Sequence, residues 1–129
     1  MSWLDGMTKN WAELAPDAQD SRLRPIVLPV PRAEAVRIAA EAIARRPRWE
    51  VLSADPETGT IHATHKTLVW QFIDDVHIRF EPEGPGTRVT AESRSRIGKA
   101  DLGQNARNLR DLVSTLAGIG AEAEGTEEE

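Results

Sequence analysis

Apolar and polar side chains alternate over Phe72–Glu81 and again over Thr87–Ile97, and only Pro82-Glu83-Gly84-Pro85-Gly86 separates the two runs. Alternation with a period of two sends successive side chains to opposite faces of a strand, and a Pro/Gly cluster between two such runs makes a turn. The pattern predicts an antiparallel hairpin with one buried face. Charge selects its register. Pairing Glu81 with Arg88 sets His77 opposite Glu92 and Asp75 opposite Arg94, with Phe80 against Val89 and Ile78 against Ala91 on the other face. A tighter register opposes Arg79 to Arg88 and Asp75 to Glu92, which cross-strand repulsion disfavours. A wider loop, pairing Arg79 with Glu92 and Asp75 with Arg96, stays open as an alternative.

The rest of the chain supplies partners for that hairpin. Arg24–Pro31 holds Pro25, Pro29 and Pro31 around Ile26, Val27, Leu28 and Val30. Proline cannot donate to a ladder, so this is an edge strand or an extended lead-in. Pro31 suits the first turn of a helix over Arg32–Arg46, whose inner face is Val36, Ala39, Ala40 and Ile43 and which Pro47 stops. Trp49–Ser53 and Thr60–Lys66 read as strands around the turn Asp55-Pro56-Glu57-Thr58-Gly59. The stretch Ile61–Phe80 is too long for one strand yet lacks Gly, Pro and Asn, so a break near Thr67–Gln71 is required without the usual turn residues. Asp101-Leu102-Gly103-Gln104 has the pattern of a capping box. The helix after it carries Leu102, Ala106, Leu109, Leu112, Val113 and Leu116 on one side, and Gly118 or Gly120 is expected to end it.

The expected fold is α+β: an antiparallel sheet of four to five strands with two helices packed on one face, in the order β-α-β-β-β-β-α. An N-terminal helical arm is expected over residues 1–24. Its stripe is Trp3, Met7, Trp11 and Leu14, followed by a linker from Pro16. The arm either folds back on its own domain or docks elsewhere. Residues 25–118 form the domain, and 119–129 an acidic, disordered tail.

Composition narrows function mainly by exclusion. The chain has no cysteine, which removes disulfides, thiolate chemistry and cysteine-bearing metal centres. Glu122, Glu124, Glu127, Glu128 and Glu129 account for the whole formal charge of −5, leaving a neutral body whose global charge predicts neither nucleic-acid nor acidic-membrane binding. With no leader and no run of apolar residues long enough for a membrane span, the expected location is cytoplasmic. His62, His65 and His77 are the only histidines; His62 and His65 fall on opposite faces, and His77 shares the outer face with His62 and Asp75. Neither a metal site nor any other cofactor is expected.

The candidate site lies where the buried sheet face turns polar. That face is apolar at Phe80–Val89 and becomes small and polar toward Asp74, Ser93 and Ser95. A buried carboxylate needs hydrogen bonds or a cation, which Ser93, Ser95 or an arginine of the last helix would supply. Asp75 is assigned to the opposite face, paired to Arg94. Arg94 and Arg96 form either a surface ion-pair ladder or a guanidinium fork for a carboxylate or phosphate.

The strings Phe72-Ile73-Asp74-Asp75-Val76, Ser93-Arg94-Ser95-Arg96-Ile97-Gly98 and Asp101-Leu102-Gly103-Gln104-Asn105 resemble the signature of the domain of unknown function 1499 family. The resemblance covers Arg24 to Leu116. It matches Asp74, Asp75, Ser93, Arg94, Ser95, Arg96, Gly98, Asp101, Gly103 and Asn105 to the family pattern, and it implies no particular activity. The cysteine that follows an asparagine before the first strand in many relatives is absent here.

Three readings follow. The first is a non-catalytic ligand-binding or protein-interaction module. Its site would be Asp74, Asp75, Ser93, Arg94, Ser95, Arg96 and Asn105, taking a small anionic or polar ligand or a protein partner. The second is a hydrolase- or isomerase-like enzyme with Asp74 as acid or base. In the third, the polar motifs are structural and interaction runs through the Trp3/Trp11 arm.

Overall fold

The computed structural model describes residues 11–96 and 103–128, with side chains described as far as residue 120. Its elements are β1 (Trp11–Glu13), a short 3-10 turn (Ser21–Leu23), β2 (Ile26–Leu28), α1 (Arg32–Ala44), β3 (Trp49–Asp55), β4 (Thr60–Lys66), β5 (Ile73–Glu83), β6 (Gly86–Ser95) and α2 (Gln104–Glu128). The sheet runs β1-β6-β5-β4-β3, with β2 sharing the β6 edge beside β1, and every pairing is antiparallel.

The β5–β6 register is the one that charge selects. Glu81 faces Arg88, His77 faces Glu92, Asp75 faces Arg94, Phe80 faces Val89 and Ile78 faces Ala91. Pairing continues to Glu83 and Gly86, so the two-residue tip is Gly84-Pro85, with Gly84 at φ +58°. Both helices pack on the face that carries Ile61, Ala63, Val76, Ile78, Phe80, Val89 and Ala91. α1 contributes Ala35, Val36, Ala39 and Ile43, and α2 contributes Leu109, Leu112, Leu116 and Ile119, all buried. The 3.6-residue stripe of each helix thus meets the period-two stripe of the strands, which is why one side of the sheet is dry.

The architecture is α+β as expected, but two features differ. Among the described residues the sheet has six strands rather than four or five. The sixth is β1, which occupies the residues assigned to the helical arm. Trp11 pairs with Arg94, Ala12 with Ser93 and Glu13 with Glu92, and the Leu14 amide then donates to the Ala91 carbonyl at 2.9 Å. The open edge of β6 offers unpaired backbone groups, and filling it outweighs a weak helical period across Trp11 and Leu14. Leu14 enters the core, while Trp11 stays on the outer face with the Arg94 guanidinium 5.5 Å from its ring centre. Trp3 and Met7 lie outside the described residues.

The second difference is the end of α2. Gly118 and Gly120 do not terminate it, and the backbone stays helical to Glu128, through the acidic residues expected to be disordered. A helical glycine costs about 1 kcal/mol and does not by itself break a helix flanked by Ala and Glu. The expected unpunctuated break near Thr67–Gln71 is present, as a tight loop between β4 and β5. The Thr67 amide donates to the Phe72 carbonyl at 2.8 Å, and the Phe72 amide donates to Thr67 Oγ1 at 2.8 Å. Gln71 takes the left-handed conformation there, at φ +57°, in place of a glycine or asparagine. Elsewhere β2 sits at an edge as its flanking prolines require. α1 starts after Pro31, and Gly59 (φ +73°) closes the turn in which Asp55 Oδ1 accepts from the Glu57 and Thr58 amides.

Candidate functional site

Register places the polar residues in two rows, one on each face of the sheet. On the inner face the row is Trp49, His65, Asp74 and Ser95, directly opposed across β3, β4, β5 and β6. On the outer face it is Ser53, His62, His77 and Glu92. Because neighbouring residues of a strand point to opposite sides, Asp74 belongs to the first environment and Asp75 to the second.

The inner row is roofed by α2. Asp74 is 1% exposed, and its Oδ2 accepts from Asn108 Nδ2 at 2.8 Å. Asn108 Nδ2 also lies 3.2 Å from Ser93 Oγ, and Ser93 Oγ donates to Asn105 Oδ1 at 2.7 Å. Asn105 Nδ2 in turn donates to Ser95 Oγ at 3.1 Å, and Gln104 Nε2 donates to Asn108 Oδ1 at 2.8 Å. Asp74, Ser93, Ser95, Asn105 and Asn108 are all buried, so this is a polar network sealed between helix and sheet. A fully satisfied network of this kind fixes one docking position for a helix, because sliding α2 by one residue would orphan several groups together.

Next to the network, His65 is the one exception to satisfaction among the described residues. Its Nδ1 is buried without a hydrogen-bond partner and stands 4.0 Å from Asp74 Oδ2. Burial lowers the pKa of this imidazole. Asp74 opposes that shift, the Arg48 charge adds to it, and Asp111 opposes it further. The His65 ring meets the Trp49 indole edge-on at 5.3 Å. Trp49 Nε1 donates to Asp111 Oδ2 at 3.0 Å, and Asp111 also pairs with Arg46, joining β3 and the turn after α1 to α2.

The outer face is open. The His62 and His77 rings stack with centroids 4.3 Å apart and planes 15° from parallel. His62 Nε2 lies 2.7 Å from Asp75 Oδ1. Arg96 grips the same carboxylate with both ends of its fork, Nε to Oδ2 at 2.9 Å and Nη2 to Oδ1 at 3.0 Å. Arg96 is the main reason the Asp75 pKa falls to about 2. His62 lowers it further, and partial burial resists the shift. Beside the histidine stack lies a shallow groove of about 420 Å³, lined by Ser53, Thr60, Ile61, His62, His77, Ile78, Arg79 and Glu92. Among the described residues Arg79 forms no ion pair, while Glu92 is 3.6 Å from Arg94.

The seven residues singled out from the sequence therefore divide. Asp74, Ser93, Ser95 and Asn105 come together inside, and Asp75 and Arg96 come together outside. Arg94 stands apart, against Trp11 and Glu92. Asp75 was expected to pair with Arg94, its direct cross-strand neighbour, but the diagonal Arg96 takes it because its fork reaches both carboxylate oxygens. No arginine of α2 was found on Asp74; the neutral amide of Asn108 fills that place. Sequence reasoning missed Asn108, although it lies three residues after Asn105 on the inner stripe that continues through Leu109 and Leu112. A polar residue on the buried side of a helix, opposite a polar patch of sheet, was the available signal. Among the described residues no group of three or more His, Asp or Glu side chains is arranged to hold a metal ion. Also among them, no helix is long and apolar enough to cross a membrane.

Solved structures share this arrangement of sheet and helices. The crystal structure of Ara h 8.0201 is similar over 87% of this chain and 97% of its own, with a TM-score of 0.52 and 10% sequence identity. The di-domain ARO/CYC BexL from the BE-7585A biosynthetic pathway is similar over 87% of this chain, with a TM-score of 0.53 and 16% identity. The chain spans 46% of that two-domain protein. At these identities the likeness concerns the fold alone. Comparison with curated proteins finds no match. Residues 7–116 match the family described as "Protein of unknown function (DUF1499)", and the chain belongs to that family.

Proposed function

We propose that this domain is a non-catalytic binding module that takes a small polar or anionic ligand on the outer face of its sheet. The observation that carries the reading is the contrast between the two faces. Inside, Asp74 is held by Asn108 beneath a helix, out of reach of a substrate. Outside, the His62–His77 stack, Arg79 and the hydroxyls of Thr60 and Ser53 border one open groove.

In this reading Arg79 and His77 supply donors to the ligand. Asp75 and Arg96 are positioning residues that hold His62 in its stack, and Arg94 draws Glu92 aside so that its charge opposes an anion less. Asp74, Ser93, Ser95 and Asn105 lock the wall behind the groove. A ligand that binds only the folded state raises the midpoint of thermal unfolding. The test is therefore a thermal-shift titration with inorganic phosphate and with small mono- and dicarboxylates. The reading expects at least one probe to raise the midpoint in the native chain and in Asp74→Asn but not in Arg79→Ala. A response that survives Arg79→Ala, or no response to any probe, rejects it.

A further inference from the structure

The loop between β4 and β5 carries three consecutive large apolar side chains in water. Leu68 is 71% exposed, Val69 76% and Trp70 75%. Scattered single apolar residues on a surface are ordinary, but an unbroken exposed run is not, and it lowers solubility unless it serves a contact. The loop is also built to project. Thr67 and Phe72 close its base through two hydrogen bonds of 2.8 Å, Gln71 is held at φ +57°, and the Trp70 ring stacks on Phe72 at 6.3 Å. The apolar groups are thus presented on a short, closed stalk.

The base of that stalk is cationic. Lys66 ends β4, and its amide donates to the Arg48 carbonyl at 2.8 Å, which brings the two basic residues together. Both are exposed, and among the described residues neither forms an ion pair. They line a second groove of about 410 Å³ with Trp49, Glu50, Thr64 and Ile73, directly below the loop. Among the described residues that line it, Glu50 is the one acidic group.

An apolar tip crowned by tryptophan above a pair of free cations has the chemistry of a lipid surface. Tryptophan favours the headgroup level of a bilayer, and basic side chains just behind it meet anionic phosphates. A three-residue tip is too small for the roughly 800 Å² that each partner of a specific protein complex buries. We propose that Leu68, Val69 and Trp70 insert into the interfacial layer of a membrane bearing anionic headgroups, with Arg48 and Lys66 on the lipid phosphates. Two weak signals, one apolar and one electrostatic, then act together to give reversible attachment.

The test sediments the full chain with vesicles of phosphatidylcholine alone and with vesicles containing about 30% phosphatidylserine. The chain is expected to sediment with the anionic vesicles and to be released as salt rises. Val69→Asp and Lys66→Glu should each lower the bound fraction roughly tenfold, since each removes one of the two signals. Both positions are exposed, so these variants keep the native far-UV spectrum and unfolding midpoint. Vesicle binding also shifts the tryptophan emission to the blue, and Trp70→Phe removes that shift. A native chain that ignores both vesicle types overturns the proposal, as does equal sedimentation of Val69→Asp. Equal binding to phosphatidylcholine overturns the role of Arg48 and Lys66. If the chain ignores vesicles but self-associates, and Val69→Asp abolishes the association, a second copy covers the loop and the lipid assignment is wrong.

Discussion

Asn108 on α2 donates from Nδ2 to the buried Oδ2 of Asp74 on β5 at 2.8 Å, and so fastens the last helix to the middle of the sheet. Removing the donor leaves a buried acceptor without that partner, which costs more than the bond itself contributes. Asn108→Ala is expected to lose about 2–3 kcal/mol of unfolding free energy in urea. The Asn108→Ala, Asp74→Ala double variant should fall short of the sum of the single losses by about 0.5–3 kcal/mol. Strict additivity would mean that the two side chains do not interact.

Asp75 gives a pH signature on the other face. Its folded pKa of about 2 lies below its unfolded value, so its contribution to stability is complete above the unfolded pKa and disappears as pH falls through the folded one. The native chain should exceed Asp75→Asn in stability by about 1 kcal/mol at neutral pH, a discounted figure because Arg96 is half-exposed and screened by solvent. The gap should close between pH about 4 and about 2. Urea midpoints across that range check it, and a gap that persists at the acid end contradicts it.

His65 titrates in the opposite sense to a histidine that gains a partner. Burial favours its neutral form in the folded chain, so its folded pKa is lowered. Stability is then complete above the unfolded pKa of about 6.5 and declines as pH falls below it, where the unfolded state takes up the proton more readily. In proton NMR, the His65 Hε1 midpoint should lie below the model-peptide value, and His65→Phe should flatten the loss of stability on acidification. A midpoint at or above about 6.5 would refute the burial argument.

Gly59 tests the turn that aims β4. An added Cβ would lie 2.4 Å from the Phe80 carbonyl oxygen and 2.7 Å from Arg32 Cδ, on a residue already at φ +73°. The Arg32 side chain could yield at the cost of its hydrogen bond to the Glu57 carbonyl, but the backbone carbonyl of Phe80 is fixed in β5. Gly59→Ala should cost about 2 kcal/mol or more, read from the unfolding midpoint, whereas Gly84→Ala meets no neighbouring atom and bears only the cost of its backbone conformation.

Local pattern and charge together carried much of this architecture. The register of β5 and β6 follows from charged cross-strand pairs that the tighter register would replace with like charges, though charge alone left a wider loop open, and the two helices follow from their apolar stripes. The misreadings arose where tertiary pairing decides. Trp11 and Leu14 fit a helix when taken alone, yet the edge of β6 makes Trp11 strand and takes the Leu14 amide just beyond it. The break near Thr67–Gln71 was legible from strand length, but not its turn, because Gln71 is an unusual choice for the left-handed position. The site was visible as a list of polar residues but not as two sites. Strand parity separates Asp74 from Asp75, but no short-range rule says that Asn108 rather than an arginine meets Asp74, or that Arg96 outreaches Arg94.

The central claim is that ligand chemistry belongs to the outer groove and not to the sealed network. Amide chemical-shift mapping during titration with inorganic phosphate and small carboxylates tests this residue by residue. Saturable shifts are expected at Thr60, His62, His77, Arg79 and Glu92, with Ser93, Ser95, Asn105 and Asn108 unmoved. Saturable shifts centred on the second set, with the first unmoved, would contradict it.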